Sequence, residues 1–151
     1  MDVQLLNFDL IDILDNELIL QRCVGQNAKN TLVIFQTSEN EAELRIFLEK
    51  VFAAAQVDLV KDTCVLSVTP LENFSFSRLY QHFDLQTLIV FGIPPVRLGI
   101  HLQVKPYEIL RYENCTYVFA DDLQAIYEER QQGGKRMSGE LWKVLQTLFL
   151  K

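Results

Sequence analysis

Residues 31–35 read Thr-Leu-Val-Ile-Phe, and Ser38-Glu39-Asn40-Glu41 follows closely behind them. A short continuous apolar run suits a strand buried on both faces, as in a parallel sheet. The polar quartet fits a capping box, with Ser38 as N-cap and Glu41 returning the bond. The helix it opens sets Leu44, Phe47, Leu48, Val51, Phe52 and Ala55 at i, i+3, i+4, i+7, i+8 and i+11, which is one apolar face.

Outward from there the alternation repeats. Cys64–Val68 reads as a second buried strand, stopped by Thr69-Pro70. Ser75 is placed to cap a short helix with Phe76, Leu79, Tyr80 and Phe83 inward. Thr87–Phe91 is a third apolar strand, ended by Gly92 and Pro94-Pro95. The stretch Val96–Val104 fits no single element. Tyr107–Tyr112 and Cys115–Phe119 read as strands about the turn Glu113-Asn114. Asp121 or Asp122 then caps a helical piece with Leu123, Ile126 and Tyr127 inward, broken by Gln131–Gly134. A last helix from about Lys135 to Leu150 carries Leu141, Trp142, Leu145, Leu148 and Phe149 on its apolar face.

Buried strands alternating with amphipathic helices predict an α/β fold, three layers deep (α/β/α), around a mainly parallel central sheet of about four strands. Crossovers are expected to be right-handed. No internal repeat or interdomain linker interrupts the chain, so 1–151 reads as one domain, with 1–24 as an N-terminal leader and 31–151 as the core. In the leader, Leu6, Leu10, Ile13 and Leu14 share one helical stripe, Glu17–Val24 reads as extended, and Gly25-Gln26-Asn27 marks a turn.

Composition narrows the function. Hydrophobic residues make up 49% and charged residues 23%, which excludes a disordered chain. The net charge of -6 argues against direct nucleic-acid binding, because phosphate contacts dominate such affinity. Lys135-Arg136 and Lys143 form the one basic patch, which a solvated helix face explains equally well. No apolar run is long enough to span a membrane, and Met1-Asp2 is the reverse of a basic signal-peptide start, so a cytoplasmic chain is expected. Cys23, Cys64 and Cys115 lack metal-ligand spacing and read as reduced, buried thiols.

A parallel sheet places its ligand at the carboxyl ends of its strands. Here those ends read Gln36-Thr37-Ser38, Thr69-Pro70, Gly92-Ile93-Pro94 and Ala120-Asp121-Asp122. The first has no glycine to wrap a phosphate, so no nucleotide cofactor is expected. His82 and His101 lie away from every strand end, and no serine has an evident base partner. Asp121-Asp122 is the best acidic pair. Adjacent carboxylates can share a proton or a metal, but a position just before a helix points first to capping. Trp142 reads as a core anchor. No catalytic or metal-ligating set emerges, which points to an interaction protein.

The ordered set resembles the uracil-DNA glycosylase superfamily, from about Thr31 to Phe149. Thr31–Gln36 is similar to that family's first strand, and Asp58–Pro70 to its second strand with the following proline. Thr87–Gly92 resembles its strand ending in glycine, Tyr117–Leu123 the segment bearing its His-Pro-Ser motif, and Leu141–Leu145 its terminal Trp-containing helix. Two departures stand out. The loop that carries the family's water-positioning residue reads Gln36-Thr37-Ser38-Glu39, and Ala120-Asp121-Asp122 replaces His-Pro-Ser. The resemblance therefore implies a remnant pocket at Gln36, Thr37, Thr69, Pro70, Gly92, Asp121 and Asp122, without glycosylase activity or cofactor.

Within that superfamily the chain is similar to the psi subunits of the bacterial DNA polymerase III clamp-loader complex, a non-catalytic branch. Val65-Leu66-Ser67-Val68-Thr69-Pro70 resembles the psi Val-Leu-x-x-Thr-Pro segment. Asp122-Leu123, with Arg136 and Leu141-Trp142, resembles the psi C-terminal pattern, and Asp2–Arg22 resembles the psi leader. The stretch Val96–Tyr112 is longer than that pattern. The resemblance implies an adaptor whose leader docks on the clamp-loader collar through Leu6, Leu10, Ile13 and Leu14, and whose body binds the chi subunit. The alternative is a divergent enzyme acting on a nucleobase or nucleotide, with Asp121, Asp122, Thr69 and Gln36 as its best residues.

Overall fold

The computed structural model describes residues 23–37, 39–69, 85–101 and 103–150. In chain order its elements are β1 (Thr31–Gln36), α1 (Glu41–Ala54), the single turn α2 (Leu59–Asp62), β2 (Thr63–Val68), β3 (Thr87–Phe91), a 3-10 turn at Pro95–Leu98, β4 (Leu110–Tyr112), β5 (Cys115–Ala120), α3 (Leu123–Gln131) and α4 (Arg136–Phe149). The apolar run at 31–35 is buried from end to end because β1 is flanked on both sides. β2 and β3 pair with it in parallel, β5 pairs in parallel with β3, and β4 closes the edge as an antiparallel strand. The sheet order is β2-β1-β3-β5-β4.

The four parallel strands start flush. Thr31 lies opposite Thr63 and Thr87, and Thr87 opposite Thr116. The two fully buried members satisfy their hydroxyls locally: Thr63 Oγ1 donates to Leu59 O at 2.6 Å and Thr31 Oγ1 to Lys29 O at 3.1 Å. Strands that start together and have similar lengths also end together, which brings their four carboxyl ends into one row.

Side-chain alternation divides the core into two sides. Val33, Phe35, Ile89 and Phe91 face a layer built from Leu44, Leu48 and Phe52 of α1, Leu123 and Ile126 of α3, and Leu141 and Leu145 of α4. Leu32, Ile34, Leu66, Leu88 and Val90 face the other way, onto Leu85, Ile93, Leu98 and Ile100. Among the described residues, therefore, the long helices share one side. On the opposite side, the described residues that pack on the sheet come from the 3-10 turn and the irregular chain around it. Leu6, Leu10, Ile13 and Leu14 of the leader, the Ser75 helix and Pro70 fall outside the described residues. No helix among the described residues is long and apolar enough to cross a membrane.

Several local expectations are corrected. α1 begins at Glu41, with Asn40 rather than Ser38 at the N-cap and no cap bond from the Asn40 side chain; Ser38 lies outside the described residues. The Glu41 carboxylate is used elsewhere, as described below. Among the described residues a reciprocal cap lies at Asp58. Asp58 Oδ1 accepts from Val60 N and Lys61 N, and Asp62 Oδ2 accepts from Asp58 N at 2.9 Å. Of the strand expected at Tyr107–Tyr112 only Leu110–Tyr112 is strand; Tyr107 turns left-handed at φ 65° and keeps a single backbone bond to Phe119 of β5. Cys64 and Cys115 are buried, but Cys23 is only half-buried. Its thiol hydrogen-bonds that of Cys64, which holds the Cys64 pKa below its ordinary value despite burial. Trp142 is half-buried rather than fully enclosed.

Phe52 is the test of this packing, since it is fully buried and its ring lies 6.4 Å from that of Phe149 on α4. Phe52→Ala is expected to cost about 3–5 kcal/mol. It should lower the urea midpoint with an unchanged m-value, while an alanine at exposed Lys50 leaves the midpoint within error.

Candidate functional site

The carboxyl ends of the parallel strands form the candidate site. Adjacent strand ends are stitched by backbone bonds, from Thr37 N to Val68 O at 2.8 Å and from Gly92 N to Ala120 O at 3.1 Å. The row thus runs Thr69, Gln36-Thr37, Gly92 and Asp121-Asp122. Six of the seven remnant-pocket positions lie at these ends, and Pro70 is outside the described residues.

The structure does not bring the polar members together around one point. Gln36 Oε1 accepts from Arg97 Nη1 at 3.0 Å, across the row from the 3-10 turn. Asp121 Oδ2 accepts from Tyr107 OH at 2.9 Å, and the Tyr107 backbone donates to Phe119 O at 2.9 Å. Burial, and then the bond to Asp121 with its negative charge, drives the Tyr107 pKa far above the ordinary phenol value, so the hydroxyl stays protonated and keeps donating. Toward β2, Ser67 Oγ donates to Glu41 Oε1 at 2.6 Å, and Arg45 reaches the same oxygen at 3.1 Å. The Arg45 guanidinium also stands 5.5 Å above the Phe35 ring. Arg97, Tyr107, Arg45 and Ser67 were not foreseen as partners. They come from four separate stretches, and no spacing rule links them.

Asp122 differs from the rest. It is the N-cap residue of α3, but its side chain makes no cap hydrogen bond, and its buried Oδ1 has no partner. The capping role expected of it is therefore filled only by its carbonyl, which accepts from Ile126 N at 3.1 Å. Burial, and then the Glu128 carboxylate, raises its pKa above the ordinary value, and the nearby N–H groups of Leu123 and Gln124 offset only part of that. A glycine is required across from it. Gly92 has φ 75°, and a Cβ there would lie 2.7 Å from Asp122 Oδ1 and 2.8 Å from its Cα.

Asp121 and Asp122 border an open cleft of about 350 Å³, with Gly92, Pro94, Pro106 and Phe119 among its walls. Its lining is mostly apolar and proline-rich. Among the described residues no group of three or more His, Cys, Asp or Glu side chains is placed to hold a metal. His101 is exposed and lines a shallow cleft with Pro94 and Pro95, and His82 is outside the described residues. Burial pushes the Cys115 thiol up to about 11, which leaves it unreactive as a thiolate at neutral pH. No protein-family model matches the chain, and no curated protein matches it.

Two measurements follow from this geometry. Gly92→Ala should lose about 2–4 kcal/mol from left-handed strain plus collision with the Asp122 backbone, read from the urea midpoint. The folded chain holds the Asp122 proton to higher pH than the unfolded chain does. Stability from this group is therefore full below the ordinary carboxylate value and declines as pH rises through the raised one. Asp122→Asn should accordingly raise the melting temperature at pH 7 and give no gain near the bottom of the carboxylate range.

Proposed function

We propose that this chain is a non-catalytic protein–protein adaptor, a psi-like subunit of a bacterial replicative clamp-loader complex that works in the cytoplasm. The observation that carries this reading is the internal pairing at the strand ends. Gln36 is held by Arg97, Asp121 by Tyr107, and Ser67 by Glu41 and Arg45. A hydrolytic site needs such groups to converge on a reacting atom with their hydrogen-bonding capacity still available. The scaffold is of a kind that puts ligands at these ends. The groups there contribute to the fold instead. An adaptor then needs a separate contact element, and the leader stripe of Leu6, Leu10, Ile13 and Leu14 offers one by the helix-in-groove mode.

A second reading, a divergent enzyme acting on a nucleobase or nucleotide, is favoured by one feature: Asp122 lines the cleft with a raised pKa and an unpartnered oxygen. Perturbed carboxylates in clefts are candidate acids or bases.

The test is co-elution of the full chain with a reconstituted bacterial clamp-loader complex on a sizing column. The adaptor reading expects stoichiometric co-elution, reduced about tenfold or more in affinity by Leu10→Asp with Leu14→Asp. Failure to co-elute, together with base release from uracil-containing single-stranded DNA that Asp122→Ala abolishes, would establish the enzyme reading in its place.

A further inference from the structure

α1 and α4 meet through Phe52 and Phe149, and beside that contact they leave a groove of about 510 Å³. Phe47, Val51, Ala54 and Trp142 supply its apolar walls. Gly139 contributes no side chain, and a Cβ there would meet nothing within 4 Å. The groove is on the helical side of the sheet, and it shares no lining residue with the strand-end cleft.

Its charge sets it apart from the rest of the molecule. Acids outnumber bases 20 to 14 in the chain, yet the charged residues lining the groove are Lys50, Arg130 and Lys135, all cations. All three are exposed, and none is in an ion pair among the described residues. The neighbouring Lys143, by contrast, is paired with Glu140 at 3.7 Å. The basic patch noted in the sequence thus divides, with Lys135 turned to the groove.

We propose that this groove binds an acidic peptide segment of a partner protein. One large aliphatic or aromatic side chain is seated between Phe47 and Trp142, and flanking carboxylates face Lys50, Arg130 and Lys135. Aromatic and Arg-lined pockets are the usual anchors of such contacts, and the volume accommodates one or two large side chains. A peptide is favoured over a nucleic-acid strand by the field around the site. A short acidic segment is neutralised locally by three cations, whereas a polyanion running beyond the groove meets a chain of net charge -6.

Trp142 is the chain's one tryptophan and lines the groove, so its emission reports occupancy directly. The full chain is titrated with a synthetic peptide, Asp-Glu-Asp-Leu-Phe-Asp-Glu. Controls are its Lys-for-acid counterpart, a Ser-Ser replacement of Leu-Phe, and oligo-dT. The proposal expects a saturable blue shift with the acidic peptide only, weakened by added salt. Lys50→Glu with Lys135→Glu should weaken it about tenfold or more. Gly139→Leu should abolish it by filling the groove while melting no lower than the parent, since leucine is the better helix former. Three results would each overturn it: no saturable change, equal binding of the Lys peptide or oligo-dT, or a shift that follows protein concentration and so reports self-association.

Discussion

Complete burial of β1 between two parallel neighbours is the constraint on which the rest of this structure depends. Leu32, Val33, Ile34 and Phe35 have no exposed face, so the strand is stable only with a layer on each side and a strand on each edge. The register then follows from the threonine row at the amino ends, where Thr63, Thr31, Thr87 and Thr116 are aligned. Flush starts give flush finishes. The carboxyl ends of β1, β2, β3 and β5 are brought into one line by pairing alone, before any question of what they do.

Among the described residues at those ends, several polar groups are paired within the protein. Arg97 reaches Gln36 from the 3-10 turn, and Tyr107 reaches Asp121 from a left-handed bend. These contacts tie the irregular chain between β3 and β5 to the strand ends that it crosses. Buried or half-buried polar groups satisfied in this way cost little and help fix one arrangement of the loop. Asp122 is the exception, crowded against Gly92 with one oxygen unpartnered. The adaptor reading treats it as a tolerated cost of that close approach. The enzyme reading treats it as the one group still able to exchange a proton with a ligand.

Much of the fold was legible in the sequence, for physical reasons that also mark where legibility stops. The runs at 31–35, 64–68 and 87–91 are continuous and apolar, and strands buried on both faces have no other use for such composition. The face built on Leu44, Leu48 and Phe52 is a period that only a helix explains. Capping was less legible, because one acidic residue near a helix start looks like another. The N-cap of α1 fell on Asn40 rather than Ser38, Glu41 meets Ser67 and Arg45, and Asp58 with Asp62 forms a reciprocal cap that the sequence reading did not name. The candidate site was legible in position but not in state. The strand ends could be named from turn residues, whereas the partners that occupy them lie up to 61 residues away and obey no spacing. The Cys23–Cys64 contact was hidden for the same reason, since it depends on the bridge between Val24 and Val65.

The central claim is that Gln36 and Asp121 are engaged by the protein itself, so that the cleft beside Asp122 does not serve as a site for a base. Amide chemical shifts of the isotope-labelled full chain, followed while free uracil is added to millimolar concentration, test it most directly. The account predicts that the signals of Gly92, Asp121 and Asp122 stay where they are throughout the titration. Saturable movement of those three signals, with the rest of the spectrum unchanged, would contradict it.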